Sequence, residues 1–575
     1  MNLLPFDQLP PYRPRSFVLK KTDLGDWNQI APLFDQLEKR APECRSAADL
    51  EQWLLDSGEL SAALDEEGSR RYIAMTCHTD NPDAEAAYLH FVEKIEPETK
   101  PRQFNLAKLF LEHPLRAQLP RDRYFVFDRN TQLQVELFRP ENVPLETEEA
   151  KLSQQYQKLI GSLTVQFRGE ERTLVQMGRY LEEPDRALRQ EAWETTTNRR
   201  LKEADQIENI FEQLLKLREK IAANAGFPDY LSYAFRARGR FDYTPEDCVK
   251  FHESIEKVIM PLLRRLQAER REKMGLEKLR PWDLAVDPSN KPPLRPFEKV
   301  ETLVSDTQKI FSSLDGKMSE DFRLMRENRL LDLENRKGKA PGGYQSTLAE
   351  SRLPFIFMNA VGIQRDVETI LHEAGHAFHA LATRSEDLYA YRSAPIEFCE
   401  VASMSMELLG NEFIETFYAP DDARRARREH LEGIVEIFPW IATVDAFQHW
   451  IYSHPGHRRA DRQKAWLELM DRFGGDVDWS GYENARENLW HRQLHIFIHP
   501  FYYVEYGIAQ LGALQVWANS KKNKAQALGD YHRALALGGS RPLPELFQAA
   551  GCRFDFSAQT VEPLAKLVND ELLRL

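Results

Sequence analysis

Two histidines and a glutamate stand at a spacing that suits metal chemistry. The segment 372–376 is HEAGH, so His372 and His376 are four residues apart and Glu373 follows the first of them. On an α-helix, residues four apart lie about 40° apart around the axis, so both imidazoles can reach one metal ion. Glu373 then lies beside that ion, where it can take a proton from bound water. The pattern predicts a zinc centre that carries out hydrolysis.

The competing interpretation is a helix that carries two surface histidines. The flanks of the motif argue against it, because most of them are apolar: Val367, Ile370, Leu371, Ala374, Ala377, Phe378 and Ala380. A helix of this composition is largely buried, and buried histidines with a buried carboxylate need partners. We therefore expect a bound metal ion.

A catalytic zinc usually has three protein ligands, so the third must come from outside the motif. His379 shares a helix face with His372 but lies one turn further along, too far for metal–ligand bonds of about 2 Å. The further downstream histidine of the metzincin pattern is absent. The segment 393–410 offers three carboxylates, and spacing alone does not choose between them: Glu397, Glu400 and Glu407.

The elements that must position these residues are mostly helices. Apolar residues recur at spacings of three and four through most of the chain, and 365–384 is strongly helical. The pair Thr244-Pro245 predicts the start of another helix. Short strands are expected at 162–168 and 353–359, with a glycine-rich turn at 335–344. The sequence predicts a mainly helical fold with one small sheet.

Composition and charge exclude several classes of protein. The 575 residues include 77 Lys and Arg against 90 Asp and Glu, a net charge of −13, so we expect neither nucleic acid nor a membrane as a partner. Five scattered cysteines without a CxxC pair argue against a disulfide framework or a thiolate zinc site. No signal peptide and no apolar run of membrane-spanning length are recognised. We expect a soluble cytoplasmic protein.

A family resemblance extends this interpretation. The segment HEAGHAFH at 372–379, followed by FCEVASMSMELL at 398–409, resembles the thimet-type zinc oligopeptidases, and in particular the oligoendopeptidase F family. In that family the third zinc ligand is a glutamate in the phrase F-x-E-x-x-S, which Phe398, Glu400 and Ser403 match. The resemblance therefore implies Glu400 as the third ligand. It implies Glu407 as a carboxylate that steadies a histidine ligand.

The resemblance also implies an architecture and an activity. It spans about residues 150 to 570, which suggests an N-terminal helical region at 1–150 and a zinc metallopeptidase domain at 151–575. Members of the family are large two-lobed helical proteins around a deep channel, with a small β-sheet beside the zinc helix. We accordingly expect a metalloendopeptidase with one Zn²⁺ per chain that cleaves short unstructured peptides in peptide catabolism. The oligomeric state is not determined by the sequence.

A second group of candidate residues lies in the aromatic segment 490–517. Without the resemblance it could be an aromatic core or a membrane-surface helix, although polar residues interrupt the latter. The family carries a histidine and several tyrosines in a similar phrase, where they donate hydrogen bonds to the oxyanion. We favour His495, Tyr502 and Tyr506 for these roles, while His499 and Tyr503 compete for them.

The peptide itself is expected near the small sheet. In the resembled family a strand corresponding to 353–359, which includes Phe357, forms a sheet edge to which an extended peptide could add. The turn of Gly342, Gly343 and Tyr344 could let the peptide backbone approach closely. The alternative is a loop that leads into a core strand.

Two other functions compete with the endopeptidase. A zinc carboxypeptidase would need a cationic group for the substrate C-terminus, and Arg352, Arg392 and Arg492 are candidates. A non-catalytic protein that binds peptides or metal would not need a base, so the intact Glu373 argues against it.

Overall fold

The computed structural model describes residues 9–340 and 342–575 and confirms the mainly helical fold class. The helices in the first half of the chain are α1 (Trp27–Arg40), α2 (Ala47–Cys77), α3 (Pro82–His90), α4 (Glu96–Glu112), α5 (Arg121–Leu137), α6 (Val143–Gly161), α7 (Leu174–Met177), α8 (Arg186–Leu201), α9 (Ala204–Asn224), α10 (Tyr230–Ala237), α11 (Pro245–Ser254) and α12 (Met260–Lys273).

The second half continues with α13 (Val300–Leu314), α14 (Gly316–Glu327), α15 (Gln364–Ala382), α16 (Ile396–Asn411), α17 (Pro420–Ser453), α18 (Arg459–Phe473), α19 (Glu483–Glu487), α20 (Leu494–Ile498), α21 (Tyr503–Lys522), α22 (Lys524–Leu535), α23 (Leu543–Ala549) and α24 (Ala558–Leu572). The predicted start at Thr244-Pro245 is confirmed, since Thr244 caps α11 through its side chain. No helix in the described ranges has both the length and the apolar composition needed to cross a membrane.

Five short strands form two sheets in the described part of the chain. β1 (Thr164–Phe167) and β2 (Glu170–Thr173) make an antiparallel pair. β3 (Leu331–Glu334), β4 (Tyr344–Leu348) and β5 (Leu353–Ala360) form a sheet in the order β3–β5–β4. β5 is parallel to β3 and antiparallel to β4. As the central strand it is buried on both faces, which explains its continuous apolar sequence.

The strand order corrects one prediction. We expected the segment 353–359 to supply a sheet edge, but β5 is paired on both sides. The edge strands of this sheet are β3 and β4. The prediction was wrong because an uninterrupted apolar run is typical of a strand enclosed by neighbours, and such a strand has no open side.

The chain folds into two compact units, and each unit is assembled from three separate segments. The first unit contains the described part of Met1–Glu136 together with Arg295–Ala423 and Gly512–Phe554. The second unit contains Leu137–Leu294, Arg424–Leu511 and Asp555–Leu575. The three-stranded sheet, α15 and α16 belong to the first unit, whereas α11, α20 and most of α17 belong to the second. The predicted domain boundary near residue 150 stays a prediction.

Candidate metal centre

The helix that carries the HEAGH motif is fixed to the sheet at its N-terminus. Only three residues separate β5 from α15, and Asp366 in the first turn accepts hydrogen bonds from the backbone N–H groups of Val361, Gly362 and Ile363 at 2.8, 2.8 and 3.0 Å. A carboxylate at this position also interacts favourably with the helix dipole. The connection therefore fixes the start of α15 relative to β5.

A glycine inside the motif lets a second helix approach closely. A Cβ atom at Gly375 would lie 2.5 Å from Cα of Ser403 and 2.7 Å from the carbonyl oxygen of Ala402, so a side chain cannot fit between α15 and α16. Near the other end of the contact, a Cβ at Gly410 would lie 2.8 Å from Cδ2 of Leu371. This close packing brings the carboxylate of Glu400 to the two histidines.

His372, His376 and Glu400 form one compact donor group. The Oε2 atom of Glu400 lies 3.4 Å from Nε2 of His372 and 3.7 Å from Nε2 of His376. One ligand atom from each of the three residues lies within 4.8 Å of the other two. Two imidazole nitrogens and one carboxylate oxygen are a donor set that suits zinc. The group is one of two that could hold a metal ion among the described residues.

Neighbouring side chains orient two of these donors. Nδ1 of His372 lies 2.6 Å from Oε1 of Glu407, which leaves Nε2 to face the metal position. Ser403 donates a hydrogen bond of 3.0 Å to Oε2 of Glu400. Burial alone would lower the pKa of His372, but Glu407, Glu400 and Glu373 raise it to about 9.

Neither His379, which the sequence already argued against, nor Glu397 joins the donor group. His379 is buried, its ring packs edge-on against Phe398, and its Nε2 atom makes no hydrogen bond within the described structure. Burial lowers the pKa of His379 to about 4. Glu397 is also buried but lies outside the group. Of the carboxylates that spacing alone left open, Glu400 is the one that the structure brings together with both histidines.

Glu373 is buried beside the donor group and next to strand β4. The backbone N–H of Gln345, in β4, favours the ionised form of this carboxyl. Burial raises the pKa of Glu373 to about 7, with the charges of Glu400 and Glu407 adding to the effect and His372 opposing it. A carboxyl group with a pKa near neutrality can both accept and return a proton.

The residues predicted to contact a peptide differ in their exposure. Gly342, with φ of 99°, and Gly343 lead directly into β4. Tyr344 is half-buried, and its hydroxyl lies 2.6 Å from Oγ1 of Thr76. Phe357 is fully buried in β5 and stacks under the ring of Tyr344, with centroids 4.8 Å apart. In this structure Phe357 supports Tyr344 and presents no surface of its own.

The predicted histidine and tyrosines form a cluster of rings in the second unit. The His495 ring centroid lies 5.7 Å from that of Tyr502 and 5.9 Å from that of Tyr506. These three side chains are partly exposed, whereas Tyr503 is buried and His499 is exposed. Burial lowers the pKa of His495 to about 4, so the ring is neutral at pH 7.

A buried ion pair holds the turn that carries this cluster. Phe501 lies between α20 and α21 with φ of 63°, a strained conformation for a bulky residue. Its carbonyl oxygen accepts a hydrogen bond from Arg240, whose guanidinium also lies 2.9 Å from the buried carboxylate of Glu505. Arg238 donates a further hydrogen bond of 2.9 Å to the carbonyl of Pro500. These contacts stabilise the turn.

Three residues that shape the metal centre were not predicted from the sequence. Asp366 could have been recognised from the sequence, because an acidic residue in the first turn is typical of a helix start. The sequence evidence for Gly375 is weaker, although a glycine within an apolar helix often marks a close helix contact. Gln345 could not have been recognised from its residue type, because it acts through its backbone N–H.

Comparison with known proteins agrees with the geometry. A model described as Peptidase family M3 matches residues 179–565, and one described as Peptidase M3 N-terminal domain matches residues 21–138. The chain belongs to peptidase family M3. Among curated relatives of this M3 chain, Oligopeptidase PepF of Bacillus subtilis is 26% identical over 251 residues, which cover 43% of this chain and 37% of that protein. The Oligoendopeptidase F homolog of Borreliella burgdorferi is 22% identical over 58% of this chain and 59% of that protein.

Solved structures match the M3 chain over almost its whole length. The structure described as PZ peptidase A with inhibitor 2 has a TM-score of 0.89 and 29% identity, covering 97% of this chain and 99% of that one. The oligoendopeptidase-F of Enterococcus faecium has a TM-score of 0.63 and 14% identity, a likeness of fold, covering 95% and 98%. The alignments with the two curated relatives span less than two thirds of their length. The resemblance to the oligoendopeptidase F family is confirmed.

Proposed function

We propose that this M3 family chain is a zinc-dependent endopeptidase that cleaves internal bonds of short, unstructured peptides in the cytoplasm. The observation that carries the proposal is the position of Glu373, a buried carboxyl with a pKa near neutrality, directly beside the donor group and strand β4. The names of the relatives, oligopeptidase and oligoendopeptidase F, support the substrate class.

His372, His376 and Glu400 would hold one zinc ion per chain. They fit such an ion because Glu407 orients His372 and because burial lowers the pKa of His376, so that its ring is the neutral form that binds metal. When bound, zinc lowers the pKa of water and polarises a carbonyl group. The three protein donors leave a position for that water.

Glu373 would be the general base and then the general acid. It accepts a proton from the attacking water and returns it to the amine that leaves when the peptide bond breaks. This shuttle needs a carboxyl that is neither strongly acidic nor permanently protonated, and burial, which raises the pKa of Glu373, supports such a role.

His495, Tyr502 and Tyr506 would assist by donating hydrogen bonds to the oxyanion of the tetrahedral intermediate. The partial exposure of these side chains and the neutral state of His495 support a donor role. The buried Tyr503 and the exposed His499 remain the competing pair.

The edge strand β4 would bind the peptide. Its outer side has no paired strand among the described residues, so an extended peptide could add to it through backbone hydrogen bonds. Gly342 and Gly343 lead into that edge without bulky side chains, and Tyr344 is the first residue of the strand. Recognition through the backbone favours unstructured peptides of varied sequence over folded proteins.

The test of catalysis is a pair of substitutions on α15. Glu373→Gln should keep one bound zinc per chain and lose peptidase turnover by at least about 100-fold, because it removes the proton shuttle. The matched control is Glu368→Gln, which changes a carboxylate earlier on the same helix whose side-chain hydrogen bonds, among the described residues, are with Gln364 and Arg365. Normal turnover by Glu373→Gln, measured with a fluorogenic peptide, would contradict the proposal, as would zinc binding without turnover in the unmodified protein.

A second experiment separates the endopeptidase from a carboxypeptidase. Two of the arginines that could bind a substrate C-terminus are engaged, since Arg352 and Arg392 donate hydrogen bonds to backbone carbonyls. We therefore expect a peptide and its C-terminally amidated form to be cut at the same internal bonds at similar rates. Mass spectrometry that shows stepwise loss of C-terminal residues, abolished by amidation, would favour the carboxypeptidase.

A further inference from the structure

Four potential metal ligands meet in the second unit, on two helices that take no part in the proposed reaction. Cys248 and His252 stand one turn apart on α11, and Asp445 and His449 stand one turn apart on α17. Each helix therefore presents two ligand-type side chains on one face. The two pairs are almost 200 residues apart in the sequence and come together only through packing of these helices.

The carboxylate of Asp445 is the centre of this cluster. Its Oδ2 atom lies 2.8 Å from Nε2 of His252 and 3.3 Å from Nε2 of His449. The Sγ atom of Cys248, a carboxylate oxygen of Asp445 and a ring nitrogen of His449 all lie within 4.8 Å of one another. The rings of His252 and His449 are nearly perpendicular, with centroids 5.7 Å apart. The three ligand atoms need only a small inward movement to reach bonds of about 2.0–2.3 Å to one ion.

The cluster contains polar atoms that its protein neighbours leave unsatisfied. Cys248 and Asp445 are fully buried. The second carboxylate oxygen of Asp445, Oδ1, is buried and makes no hydrogen bond within the described structure, and Nε2 of His449, 3.3 Å from Oδ2, is not aligned for one. Rings of Phe235 and Phe501 pack edge-on against His449, so its surroundings are apolar. A buried charged oxygen without a partner is unfavourable, and a cation would satisfy it.

We propose that Cys248, Asp445 and His449 bind a second metal ion of the zinc class, with His252 holding the carboxylate by its hydrogen bond. A thiolate and an imidazole select zinc or cobalt over magnesium and calcium, which prefer oxygen ligands. The Cys248 thiol releases its proton to solvent as the thiolate binds the ion. The ion cross-links α11 and α17 within the second unit and is independent of the proposed peptidase site.

The test uses Co²⁺ as the probe, because cobalt bound to a thiolate gives a sulfur-to-metal charge-transfer absorption in the near ultraviolet. His372, His376 and Glu400 contain no sulfur, so this absorption reports only the second site. Full-length protein freed of metal by a chelator is titrated with Co²⁺ while the absorption and the bound equivalents are measured. We expect two equivalents per chain and the charge-transfer band.

Variants assign each equivalent to its site. Cys248→Ser should lose the band and one equivalent, whereas His372→Ala should keep the band and lose the other equivalent. Cys552→Ser, which changes a buried cysteine elsewhere in the chain, should behave as the unmodified protein does. If Cys248→Ser does not fold, as judged by circular dichroism, His449→Gln serves instead and should lose one equivalent. A single equivalent without the band in the unmodified protein, or an unchanged band in Cys248→Ser, would overturn the proposal.

Discussion

Gly375→Ala should push α15 and α16 apart. The new Cβ would lie 2.5 Å from Cα of Ser403, about 0.9 Å short of ordinary van der Waals contact at 3.4 Å. The opposing atoms belong to the backbone of α16, so no rotation of a side chain can relieve the clash. The helices must separate by about 1 Å, and Glu400, which lies on α16 one turn before Ser403, moves with its helix.

Two consequences follow for stability and metal binding. Overpacking of this kind costs about 1–3 kcal/mol, and the better helix propensity of alanine returns about 0.5–1 kcal/mol, so the free energy of unfolding should fall by about 1–2 kcal/mol. Metal–ligand distances tolerate only about 0.2 Å, so a displacement of about 1 Å at Glu400 should weaken zinc binding at least about tenfold.

The measurements are chemical denaturation and zinc competition with a chromophoric chelator. Gly529→Ala is the matched control, because this helical glycine in α22 has nothing within 4 Å of the new Cβ and the substitution should stabilise the protein. Gly410→Ala should be intermediate, since its Cβ meets the flexible end of Leu371. If Gly375→Ala matches Gly529→Ala in both stability and zinc affinity, then close helix packing does not position Glu400.

Three further outcomes are expected. Glu407→Gln should weaken zinc binding by about 10–100-fold in chelator competition, because it replaces the charged partner of His372, whereas comparable affinity would show that the contact is dispensable. Asp366→Ala should lower the free energy of unfolding by about 1–3 kcal/mol in urea, because three backbone N–H groups lose their acceptor. Asp283 is fully buried, and its carboxylate lies 2.8 Å from Nη2 of Arg186 and 3.1 Å from Nη2 of Arg189. Burial alone would raise the pKa of Asp283, but these arginines lower it, so its stabilisation is complete at neutral pH and is lost as the pH falls through the lowered value. Asp283→Asn should therefore lower the free energy of unfolding by about 3–5 kcal/mol at pH 7. As the pH falls, the stability of this variant should decline less steeply than that of the unmodified protein, and an equally steep decline in both would refute this explanation.

Helix α15, which carries the HEAGH motif, was predictable because the sequence features that indicate it lie close together in the chain. The HEAGH spacing, the apolar flanks and the helical period all lie within about 20 residues, and the structure places a helix at Gln364–Ala382. Choosing Glu400 among three carboxylates required the family resemblance, because a helix of unknown register can present any of them. In the structure, the contact at Gly375 fixes how α16 lies against α15, and Oε2 of Glu400 lies 3.4 Å and 3.7 Å from Nε2 of His372 and His376.

The features that escaped sequence analysis depend on distant parts of the chain. The open edge at β4 follows from strand order, and strand composition does not encode that order. The cluster around Asp445 joins two helices whose pairs of ligand-type residues, Cys248 with His252 and Asp445 with His449, each have an ordinary helical spacing. The absence of a CxxC motif argued against a thiolate metal site, but a single cysteine suffices when histidine and aspartate complete the donors.

The division of each unit into three segments bears on how the protein is made. The core around α16 includes residues near the C-terminal end, since the hydroxyl of Tyr531 donates a hydrogen bond to the carbonyl of Ala402 at 2.9 Å and Gly512 packs against Val401. A ribosome that has just completed the HEAGH motif has not yet synthesised these partners. The histidines therefore leave the ribosome well before these contacts with α16 can form, and the packing around α16 is completed only after Tyr531 has been translated.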